Sequence, residues 1–137
     1  MIEATLRTAR IVVAALAAGP IGFAILAAFV RRDQPAVPEG VAFAVVLAGI
    51  LAPSIAWRLA RRPGDGAPAP GEEEGCRAFL RATVLGLAIT EATALAGTAL
   101  WLAGTSPIAL LPTALHAVLV LALWPTEERL QAFLGRA

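Results

Sequence analysis

The chain has 137 residues, of which 58% are hydrophobic and only 15% are charged, and its formal net charge is +1. A soluble globular domain has about a quarter of its residues charged, so this composition excludes that class and predicts an integral membrane protein. The near-neutral charge balance gives no support for nucleic-acid binding.

Four apolar runs are each long enough to cross a hydrocarbon layer of about 30 Å. They cover residues 11–30, 41–60, 82–103 and 108–124. The first run is read as a retained helix and not as a cleaved signal peptide, because charged Arg31 and Arg32 follow it where a cleavage site needs small residues. The predicted fold class is therefore an all-α integral membrane protein with four transmembrane helices.

The arginines are distributed unevenly around these runs. Only Arg31 and Arg32 lie on one side, whereas the other nine lie near the two termini and around the central segment. The positive-inside rule then predicts that both termini are cytoplasmic. The expected location is the inner membrane of a bacterium, crossed several times.

Composition divides the chain into four segments. Residues 1–60 form a first transmembrane hairpin, and residues 61–80, rich in Pro, Gly and charge, form a flexible cytoplasmic linker. Residues 81–125 form a second hairpin. Residues 126–137 form a short amphipathic helix that Thr126 caps, and it lies along the inner membrane surface or docks a partner.

The second half of the chain is a weak echo of the first at an offset of 73 residues, so both hairpins are expected to have the same orientation. Each of the first two helices contains a proline, Pro20 and Pro53. Proline removes one backbone hydrogen bond and leaves the carbonyls of Leu16 and Gly49 without their usual partners. We expect kinks at both positions unless neighbouring helices supply donors.

Glu91 lies near the centre of the third run, where an ionised carboxylate costs about 2.5 to 3.5 kcal/mol. The only histidine, His116, has a similar depth in the fourth run. Thr98 and Thr113 would add hydroxyl groups to the same seam between the two helices. Two interpretations remain open for Glu91: an ion- or proton-binding site, or a polar contact that holds a bundle or oligomer together.

Small residues form stripes on two helices, which favours close helix packing. The stripe on the third helix consists of Gly86, Thr90, Thr93 and Gly97, and that on the first consists of Ala15, Ala18, Gly19 and Gly22.

Two hairpins with a mid-membrane glutamate resemble the fused four-helix, subunit c-like proteolipids of rotary ATPases. The stretch RATVLGLAITEATALAGTALWLAG and the closing WPTEER are also similar to small bacterial four-helix membrane proteins of unassigned function. The proteolipid resemblance implies ion binding at Glu91. Proteolipids carry their carboxylate on the second helix of a hairpin, whereas Glu91 lies on the first, so rotor function is not transferred.

The predicted function is that of a non-enzymatic helical bundle, acting through helix packing as a homo-oligomer or as an accessory subunit of a membrane complex. The alternative is a proton- or ion-binding, proteolipid-like protein that uses Glu91, with His116 tuning it. Catalysis needs a nucleophile or base, a group that orients it and a substrate cavity, and Glu91 with His116 is the sole candidate pair. We therefore expect no enzymatic activity and assign no catalytic residues. One cysteine and no Cys/His cluster predict neither a disulfide nor a metal, and no cofactor is expected.

Overall fold

The computed structural model describes residues 1–30, 37–60 and 71–135. All regular secondary structure in this part of the chain is helical, as the apolar runs predicted. The helices are α1 (Ile2–Val30), α2 (Glu39–Ala60), α3 (Glu72–Leu102), α4 (Leu111–Ala122) and α5 (Glu127–Phe133), and a 3-10 turn (Pro107–Leu110) precedes α4.

Three helices are long and apolar enough to cross a membrane, namely those within Ile2–Val30, Glu39–Leu59 and Glu72–Leu102. The fourth predicted span is shorter. It consists of the 3-10 turn and α4, and α5 follows at an angle of 82°. Large apolar side chains point away from the bundle, including Phe29 at 84% and Leu121 at 76% exposure, as expected of a surface in contact with lipid.

The linker boundary predicted at residue 80 is wrong, because α3 begins at Glu72. Gly75, Cys76 and Phe79 are buried in this added length of helix. Their burial against other helices stabilises residues that composition alone assigned to a loop. Residues 61–70, which form the first half of the predicted linker, lie outside the described residues.

Helix α3 is the centre of the bundle and contacts α1, α2, α4 and α5. In the described part of the chain, no Cα atom of α1 lies within 8 Å of one in α2, and each of these helices packs against α3 and α4 instead. The first predicted hairpin is therefore not a packed pair of helices. Small residues of α3 give the reason: Gly86 lets the backbone of Ala56 in α2 approach closely, and an added Cβ would lie 3.1 Å from the Ala56 oxygen.

Helices α1 and α3 run in the same direction. Leu6 shares a buried cluster with Phe79, and Val13 shares the next cluster with Leu87. Further along, Gly19 lies against Glu91. The contacts therefore advance along both helices at an offset close to the 73 residues of the sequence echo.

The C-terminal helix α5 begins as predicted, with the Thr126 hydroxyl accepting a hydrogen bond from the Arg129 amide. Its apolar face of Leu130, Phe133 and Leu134 is buried, and the residues that cover it are Leu6, Ala9, Cys76 and Phe79. The Phe79 and Phe133 rings meet edge to face at 5.5 Å. This face therefore packs on α1 and α3 of the same chain, and the placement of α5 along the inner membrane surface stays a prediction.

Two arginines close the corner between α4 and α5. The Arg129 guanidinium donates to the carbonyls of Leu123 and Trp124, and Arg10 of α1 donates from Nε to the Pro125 carbonyl at 3.1 Å. The last carbonyls of a helix lack intrahelical donors and carry partial negative charge, so cations stabilise them. We call this part of the bundle, where α1 and α3 begin, the α5 end.

Candidate functional site

A polar cluster surrounds the proline turn of α1, halfway along that helix. Pro20 has no N–H, so the Leu16 carbonyl one turn earlier loses its intrahelical donor. The Nε2 atom of His116 in α4 lies 3.3 Å from this carbonyl oxygen. A side chain from another helix therefore supplies the hydrogen bond that proline removes.

His116 has a second partner on α3, because its Nδ1 lies 2.7 Å from the Thr90 hydroxyl. A carbonyl only accepts, so the hydrogen bond to Leu16 requires a proton on Nε2. In a neutral ring, Nδ1 then accepts from Thr90. In the cationic ring, Nδ1 donates to Thr90, whose hydroxyl then donates to the Leu87 carbonyl 3.0 Å away.

Glu91 approaches the same turn of α1 from α3. A Cβ added at Gly19 would lie 3.0 Å from Oε1 of Glu91, so glycine leaves the room that this carboxyl group occupies. Glu91 is half-buried and lies near His116. Within residues 1–30, 37–60 and 71–135, however, no group forms a hydrogen bond to the Glu91 carboxylate.

The four predicted polar site residues thus separate into two groups. His116 and Glu91 lie at the proline turn, whereas Thr98 and Thr113 bond to each other at 2.9 Å. Thr113 also lies 3.0 Å from the Ala94 carbonyl. This threonine pair joins α3 to α4, so both hydroxyl groups lie in the seam between these two helices as predicted, but neither forms a hydrogen bond to Glu91.

The two small-residue stripes differ in their use. On α3, Gly86, Thr90 and Gly97 are buried, and Thr93 donates to the Thr90 carbonyl at 2.9 Å. A side chain at Gly97 would clash with the Ala109 carbonyl of the 3-10 turn.

On α1 the stripe is exposed at all four positions, Ala15, Ala18, Gly19 and Gly22. A Cβ at Gly22 would meet no atom within 4 Å. Within the chain, α1 turns Val13 and Pro20 toward the other helices instead, so the predicted packing role of this stripe stays a prediction.

Sequence reasoning missed one close helix contact and one hydrogen bond. Gly49 of α2 faces Pro112 of α4, where an added Cβ would clash with the proline ring. Thr90 was assigned to packing, yet it is the hydrogen-bond partner of His116. Its position one residue before Glu91 was the available signal, but only the packing of α4 shows that His116 faces Thr90 and not the carboxylate.

In the described ranges, no group of three or more His, Cys, Asp or Glu side chains is placed to hold a metal ion. No protein-family model, no curated protein and no solved structure matches this chain. The residues of the cluster are therefore the basis for a functional proposal.

Proposed function

We propose that this protein is a non-enzymatic, membrane-embedded helical bundle that acts by packing against another polypeptide, either a second copy or a subunit of a larger complex. The observation that carries the proposal is the Glu91 carboxyl group, which has no hydrogen-bond donor among the described residues and lies beside the exposed stripe of α1. The bacterial inner membrane, with the α5 end on the cytoplasmic side, is part of the proposal.

An acid at this depth needs a partner, because hydrocarbon offers no hydrogen bonds and an ionised carboxylate costs about 2.5 to 3.5 kcal/mol there. His116 already bonds Thr90 and Leu16. The exposed stripe of α1 next to Glu91 consists only of small residues, namely Ala15, Ala18, Gly19 and Gly22. A surface of this kind lets another helix approach closely and donate to the carboxyl group.

The test is native mass spectrometry of the tagged protein, extracted gently from its own membranes. We expect the wild type to carry a second copy or a fixed set of companions. Gly22→Leu should release them, because a Cβ at this position meets no atom of the chain within 4 Å, whereas a leucine side chain obstructs an approaching helix. Ala28→Leu is the matched control, since Ala28 is exposed on another face of α1.

A wild-type protein that runs as a lone monomer would contradict association, as would a Gly22→Leu variant that keeps every companion. Loss of companions in both variants would indicate a general effect of bulk on α1 and would also count against the proposed surface.

A second candidate function is proton or ion binding at Glu91 with His116 as its neighbour. The proximity of these two side chains, at similar predicted depth in the membrane, favours it. We expect proteoliposomes to show proton or cation flux that Glu91→Gln abolishes. Measurable flux that this substitution leaves unchanged would exclude the candidate.

A further inference from the structure

A depression on the surface of the α5 end carries two positive and two negative side chains. Arg7, Arg10 and Glu3 of α1 line it together with Glu127 of α5. The rest of its lining is apolar and consists of Ile2, Leu6 and Ile11. We call it the four-charge pocket.

The four charged groups of the pocket do not pair with one another. In the part of the chain that the structure describes, none of them forms a salt bridge, and the salt bridge present there joins Arg77 to Glu73 on α3. Arg10 is held in place because its Nε donates to the Pro125 carbonyl. Its two terminal nitrogens have no partner among the described residues, so they are available to an anionic group.

Apolar surface of α1 adjoins the charged groups. Ile11, which lines the pocket, is 63% exposed. A ligand that fits this pocket therefore has an apolar part next to a head that contains both charges.

Arginine forms strong, paired hydrogen bonds to phosphate oxygens, and a primary ammonium offers three donors that carboxylates accept. We propose that the four-charge pocket binds the headgroup of a zwitterionic phospholipid with a primary ammonium, with the phosphate at Arg7 and Arg10 and the ammonium at Glu3 and Glu127. An anionic headgroup would meet both carboxylates, and a quaternary ammonium would offer them no N–H. The proposal is independent of the association surface on α1.

The experiment measures lipid binding to the purified full chain by native mass spectrometry, with phosphatidylethanolamine, phosphatidylcholine and phosphatidylglycerol of identical acyl chains. We expect phosphatidylethanolamine to bind most tightly. Arg7→Gln and Glu127→Gln should each weaken it about 1.5-fold to fivefold, the range of an exposed charge pair. Both side chains are exposed and unbonded to other described residues, so the fold is retained.

Arg77→Gln is the matched control, because Arg77 is an exposed arginine at the same end of the molecule that lies outside the pocket. It should leave the lipid preference unchanged. Equal binding of all three lipids, or equal loss in Arg77→Gln and Arg7→Gln, would overturn the proposal. Displacement of the lipid by soluble glycerophosphoethanolamine at matched concentration would assign the pocket to a soluble ligand and overturn it as well.

Discussion

At the scale of single residues, the centre of this protein depends on two neighbours in one turn of α1. Pro20 frees the Leu16 carbonyl, which His116 reaches at 3.3 Å, and Gly19 leaves space for the Glu91 carboxyl group. Proline and glycine usually weaken a helix. Here the proline leaves a carbonyl that His116 of α4 can bond, and the glycine leaves space for the Glu91 carboxyl group of α3.

The hydrogen bond between His116 and the proline turn predicts an energetic coupling. His116→Ala should lower the free energy of unfolding by about 1 to 3 kcal/mol, because it leaves the part-buried Leu16 carbonyl without a donor. In a Pro20→Ala background the loss should be smaller by about 0.5 to 1.5 kcal/mol, since the new backbone N–H can bond Leu16. The measurement is a double-mutant cycle of unfolding in mixed micelles.

Pro53→Ala is the control background for this cycle. Pro53 lies in α2, whose freed carbonyl at Gly49 is not a partner of His116. Coupling there should stay within about 0.5 kcal/mol, as for independent sites. Equal coupling in both backgrounds would show that His116 does not act through the Leu16 carbonyl.

At the scale of helices, close approach decides which pairs pack. Gly86 admits the backbone of Ala56, Gly97 admits the Ala109 carbonyl, and Gly49 admits Pro112. Each of these contacts involves a rigid backbone or ring on the other side. The glycines of α2 and α3 therefore fix how near α2, α3 and α4 lie to one another.

Gly97→Ala should lower the free energy of unfolding by about 1 to 3 kcal/mol, the usual cost of overpacking, because the Ala109 carbonyl cannot move without disturbing the 3-10 turn. Gly22→Ala is the matched substitution, with open space around the added methyl group. It should cause no loss of stability, as helical propensity favours alanine over glycine. Unfolding in mixed micelles distinguishes the two, and equal effects would contradict the close approach of α3 to the turn.

Sequence reasoning predicted the helices themselves well, but it predicted poorly which helices and side chains contact each other. The apolar runs predicted helices with cores close to those observed, and Thr126 was correctly placed as the cap of α5. The predicted second hairpin began at residue 81, whereas α3 begins at Glu72. Only the burial of Cys76 and Phe79 under α5 explains why the helix extends that far.

At the scale of the whole molecule, α3 holds the bundle together, and the two halves of the chain depend on each other. Helices α1 and α2 both pack on α3 and α4, and among the described residues no Cα atoms of α1 and α2 lie within 8 Å of each other. The first half therefore has little surface to bury by itself. The second half, without α1 and α2, exposes the surfaces of α3 that these two helices cover in the whole chain.

Expression of the halves tests this dependence. Residues 1–60 produced alone should be degraded in the membrane, because no packed hairpin protects them. Co-expression with residues 71–137 should protect both fragments and allow their joint purification. Limited proteolysis of isolated membranes is the measurement, and a protease-resistant fragment 1–60 in the absence of its partner would contradict the architecture.

The sequence by itself determined that the chain is helical and apolar enough to enter a membrane, because periodic and continuous apolar runs set helix formation locally. It also located the residues whose chemistry is unusual in such surroundings, namely Glu91, His116 and Pro20. Only the tertiary structure decided their partners. Thr90 and Leu16 bond His116, Gly19 borders Glu91, and α1 leaves its small stripe exposed, since these outcomes depend on how α3 and α4 are rotated against α1. That rotation follows from packing between distant segments, which no single stretch of sequence specifies.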